Sequence, residues 1–101
     1  MNFGLRDEDI SFIINTFRQF DEIEKAAIFG SRAKGTYKPG SDVDIALWGK
    51  EVNFTTIARV HAILEDESPM PYFFDIVDYF TLNHQALKDH IDRVGIVVYQ
   101  K

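Results

Sequence analysis

Gly30-Ser31 and Asp42-Val43-Asp44, separated by ten residues, are the parts of this 101-residue chain whose types and spacing suit chemistry on a nucleotide. A glycine at the end of a strand lets the backbone turn sharply and approach a ligand closely. Ser31 adds a hydroxyl. A helical turn through Arg32-Ala33-Lys34 would aim free N–H groups and the positive end of its dipole at a phosphate, and Gly35 closes the turn. Residues two apart in a strand project from one face about 6.5–7 Å apart along the chain, so Asp42 and Asp44 point the same way. Two like charges held together in a partly buried site repel, and a divalent cation between them relieves the repulsion. Oxygen-only ligands favour magnesium or manganese.

The elements that must position these groups follow from hydrophobic periodicity. Ala26-Ala27-Ile28-Phe29 reads as a short buried strand ending at Gly30. The segment from Asp42 to Trp48 reads as a second strand, with Val43, Ile45 and Leu47 on an apolar face and Ala46 and Trp48 continuing the face of the acids. Tyr37-Lys38-Pro39-Gly40 is a turn. The connection from Gly30 to Ser41 is too short for an ordinary parallel crossover, so the two strands should be antiparallel, bringing Gly30-Ser31 beside Asp42.

Helices should surround this hairpin. Asp7 is placed to cap a helix running to about Phe20, with Ile10, Ile13, Ile14 and Phe17 as its apolar stripe, and the Asp7-Glu8-Asp9 run suits a helix start better than a metal. Asn53 is placed to cap a second helix with Ile57, Val60 and Leu64 inside, ending around Asp66 to Pro69. His61 reads as a hydrogen-bonded core residue of that inner stripe, and His84 and His90 as surface residues. Tyr72 to Tyr79 is rich in strand formers, and the long helical connection before it predicts a third strand parallel to the second. That arrangement sets Asp75 level with Asp42 and Asp44, with Asp78 on the opposite face. Thr81 is a candidate cap for a last helix through about Arg93, carrying Leu87, Ile91 and Val94, with Gly95 as its stop and Ile96 to Tyr99 as a final strand. The expected fold class is α/β: a small mixed β-sheet flanked by helices, in one domain spanning 1–101.

Composition narrows the function. Apolar residues at 46% and nine Phe provide for a core. A net charge of −5 lacks the basic footprint of a protein that grips a long nucleic acid by its phosphates. The absence of cysteine rules out a disulfide framework and thiolate metal sites, and fits a reducing compartment. The N-terminus has no signal-like apolar run and no apolar run is long enough to span a bilayer, so a cytoplasmic protein without a membrane partner is expected.

The run Gly30-Ser31-Arg32-Ala33-Lys34-Gly35 followed by Ser41-Asp42-Val43-Asp44-Ile45 resembles the signature of the DNA polymerase β-type nucleotidyltransferase superfamily, and the chain length resembles its minimal nucleotidyltransferase branch. The order of helix, strand, motif, strand, helix and acid-bearing strand extends the resemblance over nearly the whole chain. It implies that Gly30 and Ser31 bind the triphosphate, and that Asp42, Asp44 and Asp75 hold divalent metal, two magnesium ions about 3.5–4 Å apart in the two-metal scheme. Arg32 and Lys34 are expected either to touch phosphates or to be solvated. The implied reaction moves a nucleoside monophosphate, AMP from ATP, to a hydroxyl and releases pyrophosphate, with Asp75 helping to take up the hydroxyl proton.

Minimal members resemble the antitoxin half of two-gene modules whose other product is an all-helical HEPN-type toxin, and the implied acceptor is a tyrosine of that toxin. Phe12, Trp48, Tyr72, Phe73 and Phe80 are candidate partner contacts. A rival reading is a binding antitoxin that masks its partner by surface contact, with its site vestigial or nucleotide-sensing. Transfer to a small molecule is a third; it is disfavoured because larger relatives bind such acceptors with a further helical domain that this chain is not expected to carry.

Overall fold

The computed structural model describes residues 2–101. Helix α1 (Asp7–Arg18) starts one residue earlier than the acidic run suggests, because the cap is Arg6. The buried Asp9 carboxylate turns back to accept the Arg6 backbone N–H at 3.3 Å and the Arg6 guanidinium at 3.1 Å. Asp7 is therefore the first helical residue, where its charge favours the positive end of the helix. Strand β1 (Lys25–Phe29) runs into a single helical turn, α2 (Gly30–Lys34), which Gly35 ends in a left-handed conformation at φ +80. Strand β2 (Val43–Trp48) returns antiparallel to β1, as the short connection requires.

Helix α3 (Phe54–Ala62) is capped as expected by Asn53, whose side-chain oxygen accepts the Thr56 N–H at 3.1 Å. It continues as a wider π-type turn, Ile63–Glu67, that leaves Leu64 fully buried. His61 corrects the expectation of a core histidine: its side chain is 47% exposed and its Nε2 lies 2.8 Å from Glu65, one turn along the outer surface. One residue beyond Val60 is a rotation of about 100°, enough to leave the inner stripe.

Strand β3 (Phe74–Asp78) lies parallel to β2, in register Val43 with Phe74, Asp44 with Asp75 and Ala46 with Val77. A 3₁₀ turn (Tyr79–Thr81) follows, so Thr81 closes that turn instead of opening a helix. Helix α4 (Gln85–Val94) is capped by His84, whose Nδ1 accepts the Leu87 N–H at 3.1 Å. Strand β4 (Ile96–Gln100) pairs antiparallel with β1, completing a mixed sheet in the order β3-β2-β1-β4.

The two faces of this sheet are built differently. On one, Ala26, Ile28, Val43, Ile45, Leu47, Phe74 and Ile76 pack with Ile13 and Phe17 of α1 and Val60 and Leu64 of the α3 region into the main core. On the other, Phe29 and Ala46 pack with Ile91, Leu87 and Val94 of α4. Because side chains alternate, Asp44 and Asp75 share this second face with α4. No helix among the described residues is long and apolar enough to cross a membrane.

Candidate active site

At Gly30 the chain leaves β1 with φ +70, a conformation that disfavours any residue with a Cβ. Space imposes the same requirement, since a Cβ there would sit 2.1 Å from Oδ2 of Asp44. Phe29 is the register partner of Asp44 on β2, and Asp75 is its partner on the other side. Asp44 thus lies in the middle of the rim, half-buried, with Gly30 pressed against its carboxylate. Asp42, two residues earlier, and Asp75, on the edge strand, are both exposed. Ser31 follows Gly30 at the same rim and is partly buried.

Electrostatics mark this cluster. Burial is the largest influence on Asp44, followed by the charges of Asp75 and then Asp42; together they push its pKa from the ordinary 3.8 up to about 6 against a smaller opposing pull from Arg32. Among the described residues no ion pair reaches Asp42, Asp44 or Asp75. Among the described residues, no three acidic, histidine or cysteine side chains stand close enough together to hold a metal ion as they are placed. The chemistry of the donor set nevertheless suits a hard divalent cation: it is all carboxylate oxygen, and it concentrates negative charge that no ion pair within the fold neutralises.

Arg32 is not solvated, and its donors are engaged within the fold. Its side chain is buried at 2% exposure, donating from Nη1 to the carbonyl of Phe3 at 2.9 Å and from Nη2 and Nε to the carbonyl of Ser41 at 2.7 and 3.1 Å. Its guanidinium also faces the rings of Tyr72 and Tyr37, 4.7 and 5.4 Å from their centroids. These bonds satisfy two backbone carbonyls and use the forked donor geometry that only arginine has. Arg32 therefore ties the N-terminal segment to the loop that delivers Asp42, while its charge still reaches Asp44. Lys34 is exposed.

His90, expected on the surface, is half-buried against the rim, where its Nε2 accepts the Gly30 N–H at 3.2 Å. The spacing Leu87, His90, Ile91, Val94 carried the signal, because it is the i, i+3, i+4, i+7 stripe of an inward helix face. Asp78 spends its carboxylate on the N–H of Phe80 at 3.2 Å, away from the cluster. Of the aromatic contact candidates, Phe73 and Phe80 are exposed at 72% and 58%, and Phe54, not anticipated, at 86%. Phe12 and Tyr72 are partly buried against the main core and Trp48 against the smaller one.

Known proteins share this fold. The family model "Polymerase beta, Nucleotidyltransferase" matches residues 12–101. A probable protein adenylyltransferase, MntA, of Haemophilus influenzae is 26% identical over 98 residues, covering 96% of this chain and 84% of its own. A crystal structure of a toxin–antitoxin with AMP-PNP superposes with a TM-score of 0.77 at 20% identity, over 91% of this chain and 73% of the other. A tri-AMPylated Shewanella oneidensis HEPN toxin in complex with MNT antitoxin gives a TM-score of 0.73 at 16% identity, over 96% and 74%. At such identities the structural likeness speaks for the fold, and the family match covers most of the sequence. The chain belongs to the polymerase β-type nucleotidyltransferase family.

Proposed function

We propose that this chain is a magnesium-dependent adenylyltransferase that moves AMP from ATP to a tyrosine hydroxyl on a helical HEPN-type partner and so acts as an antitoxin. The observation that carries the reading is the placement of Asp44: half-buried, flanked by two further carboxylates and packed under the Gly30 turn. An idle surface has no physical use for charge concentrated this way. The similarity to MntA and to structures of toxin–antitoxin complexes supports the choice of reaction and partner.

In the step itself the acceptor oxygen attacks the α-phosphorus, the bond from that phosphorus to the bridging oxygen of the β-phosphate breaks, and pyrophosphate leaves. Asp42, Asp44 and Asp75 would hold the divalent cations, which when bound neutralise triphosphate charge and acidify the acceptor hydroxyl. Gly30 keeps the backbone low against Asp44, so a phosphate can approach the rim without meeting a side chain. Ser31 offers a hydroxyl and Arg32 holds the Asp42 loop in place. Asp75, exposed on the edge strand, is open to a macromolecular acceptor and positioned to take its proton, and the exposed Phe73 beside it offers apolar contact. Such a reaction belongs in the cytoplasm, where ATP and magnesium are plentiful.

The test is to incubate the protein with each α-labelled triphosphate, magnesium and a HEPN-type toxin, with Asp44→Asn as control. Label from ATP on a partner tyrosine, lost in the mutant, is the expected result. Tight partner binding without label from any triphosphate would favour masking by surface contact instead.

A further inference from the structure

Gly30 is held from two directions. Asp44 fills the space where a side chain would stand, and His90, sixty residues further along, takes the Gly30 N–H on Nε2 at 3.2 Å. An imidazole nitrogen that accepts carries no proton, so the contact requires Nε2 to be bare. The ring is fixed in turn: Phe29 meets it edge-on at 6.0 Å and 78°, and Ile91, the next residue of α4, is buried beneath the sheet face.

We infer that His90 is a positioning residue of the nucleotide cradle, pinning the Gly30 peptide so that Ser31 and the clearance beside Asp44 are set before the triphosphate arrives. The inference deepens the nucleotidyltransferase reading and rests on it. A left-handed turn between a strand and a single helical turn has few contacts of its own to fix its direction. The hydrogen bond from α4 supplies one, and it links the helix on the catalytic face to the motif in β1 and α2. Preorganisation of this kind acts on nucleotide binding more than on the acceptor.

The test compares wild type, His90→Ala and His90→Gln, with Asp44→Asn alongside, in the labelled-transfer assay. The glutamine amide oxygen reaches about as far as Nε2 and can accept the same N–H. His90→Ala should raise KM for the triphosphate about 3–10-fold while KM for the partner protein stays within about twofold, the cost of one hydrogen bond felt at one substrate. His90→Gln should restore most of that loss. An unchanged or lowered triphosphate KM in His90→Ala, or a glutamine variant no better than alanine, overturns the inference and leaves the reaction standing, provided wild type labels and Asp44→Asn does not. Absence of transfer by wild type with any triphosphate would refute the nucleotidyltransferase reading instead. Amide exchange on the unmodified protein decides the contact independently, even if His90→Ala fails to fold: Gly30 should be protected, and exchange as fast as an open amide overturns the pin.

Discussion

Asp44 and Trp48 lie four residues apart on one strand and one face of the sheet, in opposite circumstances. Trp48 stacks on Tyr79 with ring centroids 4.9 Å apart and carries the Lys25 ammonium 4.3 Å above its ring. The Tyr79 hydroxyl donates to Asp92 at 2.7 Å, tying α4 to the same corner. Asp44 has two carboxylates for neighbours and a pKa raised to about 6. The contrast recurs on β3, where Asp78 is paired with a backbone N–H and Asp75 belongs to the unpaired cluster. One end of the sheet is arranged for stability; the other concentrates charge that stability alone would separate.

Five substitutions probe this contrast. Asp44→Asn should lower transfer by roughly 10²–10³-fold or more, as expected for removing a group that holds charge at the reacting centre. The same change should raise the metal-free melting temperature by about 2–5 °C, because it removes a repelled charge; activity lost together with stability would break the contrast. Gly30→Ala should cost about 1–3 kcal/mol from the left-handed backbone and the crowding of Asp44, read by thermal melts, with transfer lost as well. Arg32→Lys should cost about 1–3 kcal/mol in a urea titration, since an ammonium cannot serve both carbonyls as the fork does. Asp78→Ala should cost at most about 1 kcal/mol and leave transfer within about twofold, whereas Asp75→Ala should abolish it; equal damage from the two would erase the distinction between the ends.

The parts of this molecule legible in the sequence are those set by local chemistry. Alternation and connection length were enough to pair β2 parallel with β3 and to bring Asp75 level with Asp44. Asn53 was recognisable as a cap because its side-chain oxygen suits the role. His84 was not, because histidine is a rare cap, and Thr81 stood near enough to look right. Arg32 eluded sequence reasoning for a tertiary reason: its partners are carbonyls of Phe3 and Ser41, left open by a loop and a terminal segment whose path no periodicity encodes. His90 lay on a readable stripe, but its acceptor role depends on Gly30 arriving from the far end of the chain. His61 shows the converse error, one residue being enough to turn a side chain from the core to solvent.

If Asp42, Asp44 and Asp75 together hold divalent cation, the Asp44 carboxyl reports on it directly. With its pKa above the ordinary 3.8, Asp44 favours the folded state most fully below that value, and this contribution is lost as pH rises through about 6. Magnesium, by supplying the missing positive charge, should remove the perturbation. Carbon-detected NMR titration of the Asp44 carboxyl should find a midpoint near 6 without metal and a marked fall with magnesium and nucleotide. A midpoint in the ordinary carboxylate range, unmoved by magnesium, would contradict a shared cation site.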